Sequence, residues 1–374
     1  MKKLRLVADD LTGALDSAAQ FATKGRTIPV FPNRGLPASL AGEFAVDGAS
    51  REEDGPSAEA IAARLAPILA PGPGLIPFKK VDSLLRGHPG LELAATLGAV
   101  PVRRCVIAPA FPFHGRATRG GLQYASSGGS WSRVGEDLRE TLGSNGLNVQ
   151  LRKPGEPVPR GISLWDADTD DDLRAIADSG VKLHVPILWC GSAGLAAALS
   201  GSAPPTVPVA GLERPMLGMF GSEHPVTAAQ LAACGDVLRL RDLGDADILR
   251  VSARLESAGA CLVSFEVPAG LGRPEASRRI VRGIAELTRR LAQPRCLLVS
   301  GGETLRALCL SLGTVHLAVM GQVVPGVPVS RMAGGRWDGT QVVSKSGAFG
   351  DEGLLLRIAS GAAAGQNGST PALG

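Results

Sequence analysis

The sequence predicts an α/β protein of two domains, each a mostly parallel sheet flanked by helices, with the active site in the cleft between them. Three observations carry that expectation. Short β-rich runs alternate with helix-period segments almost throughout. The strand candidates are continuously apolar rather than alternating, as strands are when helices cover both faces of a sheet. The alternation also stops at 200–215, "SGSAPPTVPVAGLERP", a stretch of Pro, Gly and Ser with no helical period, and then resumes. With 374 residues there is chain enough for two cores. The expected domains are 1–203 and 213–360, followed by a low-complexity tail, 361–374, expected to fray.

In chain order, the first half offers strands at 4–8, 27–31, 43–49, 75–81, 105–110, 161–167 and 187–191. Segments of helical period lie at 12–24, 57–69, 89–98, 171–179 and 192–199. The second half offers strands at 216–221, 237–240, 261–267, 296–301, 315–319 and 341–347. Its helices are expected at 225–234, 245–258, 274–292, 303–312 and 351–360.

Composition narrows the function. Aromatics are only 4% and Gly numbers 49, which argues against a base-stacking nucleic-acid binder. A net charge of +4 is small for this length and weakly compatible with anionic small molecules. The opening "MKKLRLVADDLTG" forms no signal-peptide core, because two aspartates break its apolar run. No window reaches the roughly 18 apolar residues of a membrane span. The six cysteines are widely spaced, with no C-x-x-C pair, and read as buried reduced thiols of a cytoplasmic protein. The five histidines are scattered, none at ligand spacing to a cysteine, so a structural metal site is not expected.

Polar residues and glycines gather where strands end, which is where open α/β sheets bind ligands. The first such place is Asp9-Asp10-Leu11-Thr12-Gly13. One carboxylate there would cap the following helix; two exceed what one cap needs, and the other could bind or deprotonate a substrate hydroxyl. The second is "FKKVDSLLRGHPG" (78–90), with Lys79, Lys80, Asp82, Ser83 and Arg86 between a strand and a helix. Arg can grip a carboxylate with a two-point fork and Asp can accept hydroxyl protons, although a solvated loop with surface ion pairs is the plainer alternative. The third, "APAFPFHGRATRGG" (108–121), presents Arg116 from a loop stiffened by proline; His114 reads as a loop residue. In the second half, "SGGETL" (300–305), "SKSGAFGDE" (344–352) and "GSEHPVT" (221–227) each run from a strand through glycine into a helix. Their backbone N–H groups could cradle phosphate. Three such turns in one domain point to a nucleotide, while G-x-x-x-x-G-K-[ST], a well-placed G-x-G-x-x-G and a G-x-S-x-G elbow are all missing.

Together with "GISLWDADTDDDL" (161–173) and "GSAGLA" (191–196), these stretches fall in an order that resembles the four-carbon acid sugar kinase family across nearly the whole chain. The resemblance implies ATP-dependent phosphorylation of a hydroxyl of an acid such as threonate, erythronate or 3-oxo-tetronate. It implies an N-terminal sugar-acid domain using Asp9, Asp10, Lys80, Asp82, Ser83, Arg86 and Arg116, with Asp10 and Asp9 as the catalytic pair. It implies a C-terminal nucleotide domain using Ser222, Gly301, Gly302, Glu303, Thr304 and Gly347. Mg²⁺ is implied with ATP, without named ligands. Two positions depart from the family pattern: Leu84 stands where a second Ser or Thr usually follows Asp-Ser, and His224 where a second serine usually stands. A catalytically inactive acid-binding regulator and an NAD(P)-dependent dehydrogenase are the alternatives. Neither nucleic acid nor membrane is expected as a partner, and whether the chain forms a homo-oligomer stays open.

Overall fold

A computed structural model describes residues 3–32, 42–221, 224–241, 243–266, 270 and 272–361. The first half runs β1 (Lys3–Ala8), α1 (Leu11–Ala19), β2 (Ile28–Pro32), β3 (Phe44–Asp47), α2 (Gly55–Leu65), β4 (Leu75–Lys80), α3 (Pro89–Ala99) and β5 (Arg104–Ala108). It continues through β6 (Arg116–Arg119), β7 (Leu122–Ser127), β8 (Ser130–Arg133), α4 (Leu138–Ser144), β9 (Val149–Arg152), β10 (Gly161–Trp165), α5 (Asp170–Val181), β11 (Leu188–Gly191) and α6 (Ala193–Ser200). The second half starts with β12 (Met216–Phe220), α7 (Pro225–Cys234), β13 (Val237–Leu240), α8 (Asp245–Ala258), β14 (Ala260–Phe265) and α9 (Arg273–Arg290). It ends with β15 (Cys296–Ser300), α10 (Gly302–Leu312), β16 (His316–Gln322), β17 (Pro328–Ala333), β18 (Gln341–Lys345) and α11 (Leu354–Ser360).

The α/β class holds, and the strands of the two halves join edge to edge. One 15-stranded sheet runs β13-β14-β12-β15-β18-β17-β16-β2-β3-β1-β4-β11-β5-β10-β9. It is parallel except around the seam, where β16 is antiparallel to both β2 and β17, and β17 is antiparallel to β18. The halves join where β16 pairs with β2, and β17, on the other side of β16, is a strand that the sequence pattern did not mark. The small antiparallel sheet β6-β7-β8 is likewise unanticipated.

The apolar strands are sandwiched as their composition requires. Leu4, Leu6 and Ala8 of β1 point into one core and Val7 into the other; Val106 and Ala108 of β5 oppose Cys105 and Ile107 in the same way. Helix α1 is the piece the two halves share. All nine of its residues are buried. It packs on β1, β3 and α6 from its own half and on α10, β16 and β17 from the other. Small residues, Ala14, Ala18 and Ala19, allow so close an approach from both sides. All six cysteines are free thiols, five of them buried. Among the described residues no helix is long and apolar enough to cross a membrane.

Strand order creates a crevice in each half. β1 lies between β3 and β4, and β12 between β14 and β15. Chain connections leave such a strand in opposite directions, so its carboxyl end opens into a cleft. Residues from both places, Asp10 and Arg51 from the first half and Gly221 and Gly301 from the second, line one cavity.

Candidate active site

Asp9 and Asp10 follow β1 at the first crevice. Asp10 is the N-cap of α1: its Oδ1 accepts from Gly13 N at 2.8 Å, and Thr12 Oγ1 donates to its Oδ2 at 2.5 Å. A capping role is therefore real for Asp10, as its position alone allowed.

The centre of the cluster is a residue that sequence reasoning missed. Arg51, just beyond β3, donates from Nε and Nη2 to the two oxygens of Asp9, at 2.7 and 2.9 Å. Its Nη1 lies 2.7 Å from Asp10 Oδ2, and Nη2 lies 3.4 Å from Asp82 Oδ1. One guanidinium thus ties the ends of β1, β3 and β4 together. Ala49, two residues earlier, takes φ 57°, a strained value for a residue with a Cβ. The signal was available: an Arg within four residues of a strand's carboxyl end. It was masked by the adjoining "EED", which reads as solvated charge.

The electrostatics follow from this arrangement. Burial pushes the Asp82 carboxyl up, but Arg51 and the Arg86 fork overcome it and hold it well below the usual carboxylate range. At Asp10, burial is likewise outweighed by Arg51, Lys80, Thr12 and Gly13, which lower it. At Asp9, burial wins over Arg51, and the neighbouring Asp10 charge adds to the rise.

The other acid-side residues divide. Arg86 places Nε and Nη2 on Asp82 at 2.8 and 2.7 Å, so its fork is occupied by a protein carboxylate. Lys80 is buried and donates to Val81 O at 2.7 Å, while Lys79 points to the opposite side into an ion pair with Glu92. Ser83 is buried and lines a pocket with Asp10, Lys80 and Asp82; Leu84 gives Asp82 only its backbone N–H, at 3.1 Å. Arg116 comes within electrostatic reach of Asp82 and Arg86, although its Nη1 donates to the carbonyls of His114 and Gly115 and it lines neither cleft cavity. His114 instead stacks on Phe349 of the other half, with ring centroids 3.8 Å apart.

On the nucleotide side, β15 runs into Gly301, whose φ of 99° excludes other residues, and α10 starts at Gly302 without a side-chain cap. The first N–H groups of that helix are left for a ligand. Gly302, Glu303, Thr304 and Gly347 line a cavity of about 380 Å³ together with Asp10, Arg51 and Arg86. One wall of it is an apolar face of α9, formed by Ala276, Ile280, Val281 and Ile284. Ser222 lies outside the described residues, and His224 caps α7 through its ring, accepting from Val226 N at 3.2 Å. A smaller pocket adjoins the cavity, sharing Asp10, Thr12, Arg51, Arg86 and Ser346 with it, and its floor holds Asp16, Lys80, Ser83, Ser192 and Lys345.

The halves meet at contact distance. A Cβ on Gly302 would lie 3.1 Å from Asp10 Oδ2. Nearby, Arg306 of α10 crosses to fully buried Asp47 of β3 with bonds of 2.7 and 3.1 Å.

Comparison with known proteins fits this division. Residues 4–145 match a family model described as a sugar-binding N-terminal domain, and 217–355 one described as a nucleotide-binding C-terminal domain. A D-threonate kinase of Cupriavidus necator is 31% identical, over 94% of this chain and 95% of its own. A D-threonate kinase of Salmonella typhimurium is 26% identical over 94% and 96%, and a D-erythronate kinase of Heliobacterium modesticaldum 26% over 94% and 95%. A solved Salmonella typhimurium LT2 protein shares the fold, with TM-score 0.72 at 19% identity, over 96% of this chain and 98% of its own. The chain belongs to the four-carbon acid sugar kinase family.

Proposed function

We propose that this chain transfers the γ-phosphoryl group of ATP to a hydroxyl of a four-carbon acid sugar, with D-threonate the first substrate to test. The observation that carries the reading is the meeting of Gly302, at an uncapped helix start, with Asp10, at the head of a charged pocket. Phosphoryl transfer needs alignment and charge neutralisation more than covalent chemistry. A donor cradle and an acceptor pocket within contact distance supply both.

In this reading the N–H groups of Gly302, Glu303 and Thr304 receive phosphate oxygens, with Gly301 and Gly347 leaving room for them. The α9 face receives the adenine. Asp9 and Asp10, held by Arg51, fix the acceptor's hydroxyls. Lys80, Asp82, Ser83 and Arg86 line the acid's pocket, and the Lys80 cation balances its carboxylate. Arg116, beside Asp82 and Arg86, adds positive charge at the edge of that pocket. The domain boundary falls between 203 and 213; its support is that α6 and β12 lie on opposite sides of the seam.

Among the described residues no three His, Cys, Asp or Glu side chains gather as a metal site. Mg²⁺ would be carried mainly by the triphosphate, as it commonly is, with Asp10, Glu52 and Glu303 the carboxylates lining the cavity. When bound, it would neutralise phosphate charge.

The test is ADP release from ATP and Mg²⁺ with D-threonate, D-erythronate and 3-oxo-tetronate in turn. Acid-dependent ADP release supports the reading. Binding of an acid without ADP release, from any of the three, supports a regulator instead.

A further inference from the structure

The charges of the acid pocket do not all pair. Asp9 and Asp10 share Arg51, and Asp82 has Arg86. Asp16, one helical stretch beyond Asp10 on α1, is different. Its side chain is 5% exposed, it lines the pocket, and its Oδ1 is buried without a hydrogen-bond partner. Leaving a buried carboxylate oxygen without a donor is unfavourable. Such a group persists where a ligand supplies what the protein does not. The pocket it lines has Ser83, Ser192, Lys80 and Lys345 as polar walls beside the rings of Phe111 and Phe349.

We propose that Asp16 accepts the proton of the acid-sugar hydroxyl that attacks ATP, a role that rests on the kinase reading above. The O–H proton passes to the Asp16 carboxylate. The freed oxygen bonds to the γ-phosphorus. The bond from that phosphorus to the β,γ-bridging oxygen breaks, and its electron pair leaves with ADP. Solvent takes the proton back when the product departs.

Two features favour Asp16 over its neighbours as the acceptor of that proton. Asp10 already receives from Thr12, Gly13 and Arg51, and Asp9 from Arg51, so their lone pairs are committed to orienting the site. Burial also pushes the Asp16 carboxyl up to about 7, against the opposing pull of Lys80 and with a further push from Asp10. A base is most effective when its pKa lies near the working pH. The charged groups facing it are Lys80 from β4, Asp10 at its own helix start, Lys345 from β18, and Arg51, Asp82 and Arg86 around the same pocket. Burial brings Lys345 down to about 8 and raises Asp9 as well, so the loss of the profile in an Asp16 variant, and not the wild-type profile alone, assigns it to Asp16.

The experiment measures kcat at saturating ATP and acid sugar from pH 5.5 to 7.5, for the wild type and Asp16→Asn. ADP-induced thermal stabilisation serves as the folding control. The wild-type kcat should climb nearly tenfold per unit at low pH and level off near 7. Asp16→Asn should lose about 10²- to 10⁴-fold in kcat, lack that climb, and keep its KM for ATP within about threefold. A variant within about threefold of wild-type kcat overturns the proposal. So does a flat wild-type profile, which decides the matter even if the variant fails the folding control. A wild type that releases no ADP with any acid sugar overturns the kinase reading itself, and this inference with it.

Discussion

Removing Arg51 should damage the protein more than removing any other charged side chain of the acid pocket. Its side chain is 11% exposed and faces three carboxylates, Asp9, Asp10 and Asp82. In Arg51→Ala, Asp82 keeps Arg86, but Asp9 and Asp10 lose their cation and stand adjacent in a buried setting. Breaking one partner out of a buried ion pair costs about 3–5 kcal/mol, and here two carboxylates are stranded, so the upper end applies. Lys80 offsets part of this as the remaining cation near Asp10. The stranded pair can also relieve itself by taking up a proton, and Asp9 is already raised. The destabilisation should therefore be greatest at pH 7–8 and shrink as the pH falls toward 5. Urea unfolding followed by tryptophan fluorescence reads it, since Trp165 and Trp189 lie buried in the first half. A shift below about 1 kcal/mol at pH 7.5, with acid-sugar affinity retained, would refute the hub role.

Three further outcomes are expected. Gly302→Val introduces a Cβ 3.1 Å from Asp10 Oδ2 in the phosphate cradle, so the ATP KM should rise at least tenfold, as read in initial-rate kinetics; unchanged nucleotide affinity removes this loop from the cradle. Arg306→Leu strands the fully buried Asp47 across the seam and should cost about 3–5 kcal/mol; urea unfolding unchanged from the wild type would show that the pair is not needed there. Asp16→Asn should be more stable than the wild type at pH 8. A folded carboxyl at about 7 lies above its unfolded value near 3.8, so the wild type loses stability as pH rises from about 4 to 7 and bears the full penalty above that. Three units correspond to at most about 4 kcal/mol, and the advantage should vanish at pH 4; equal melting temperatures at pH 8 would contradict the shift.

Much of the fold was legible because it rests on period and punctuation. Helices 225–234 and 245–258 match the observed α7 and α8 residue for residue, since each is bounded by Gly or Pro. The strands missed were those without an apolar run: β6 (RATR), β7 (LQYASS) and β8 (SWSR) form a small sheet with little apolar content to mark it, and β9 (VQLR) is a short edge strand. β17 was hidden by Pro328 at its start and Arg331 within it. At the site, Asp9, Asp10, Asp82 and the Gly301-Gly302 step were visible because strand ends mark them. What was not visible is pairing at a distance. Asp47 and Arg306 are 259 residues apart. Whether Arg86 meets a ligand or Asp82 depends on a rotamer. Asp16 passed unremarked because one carboxylate within a small-residue helix reads as a solvated position, and only the burial of α1 from both sides changes that.

The central claim is that a phosphoryl group moves from ATP to an acid-sugar oxygen across the seam. A ³¹P spectrum of the protein with ATP, Mg²⁺ and D-threonate, then D-erythronate and 3-oxo-tetronate, tests it most directly. The account expects, for at least one acid, a new phosphomonoester resonance growing in step with ADP and absent without the acid. ADP accompanied only by inorganic phosphate, or no change with all three acids, would contradict it.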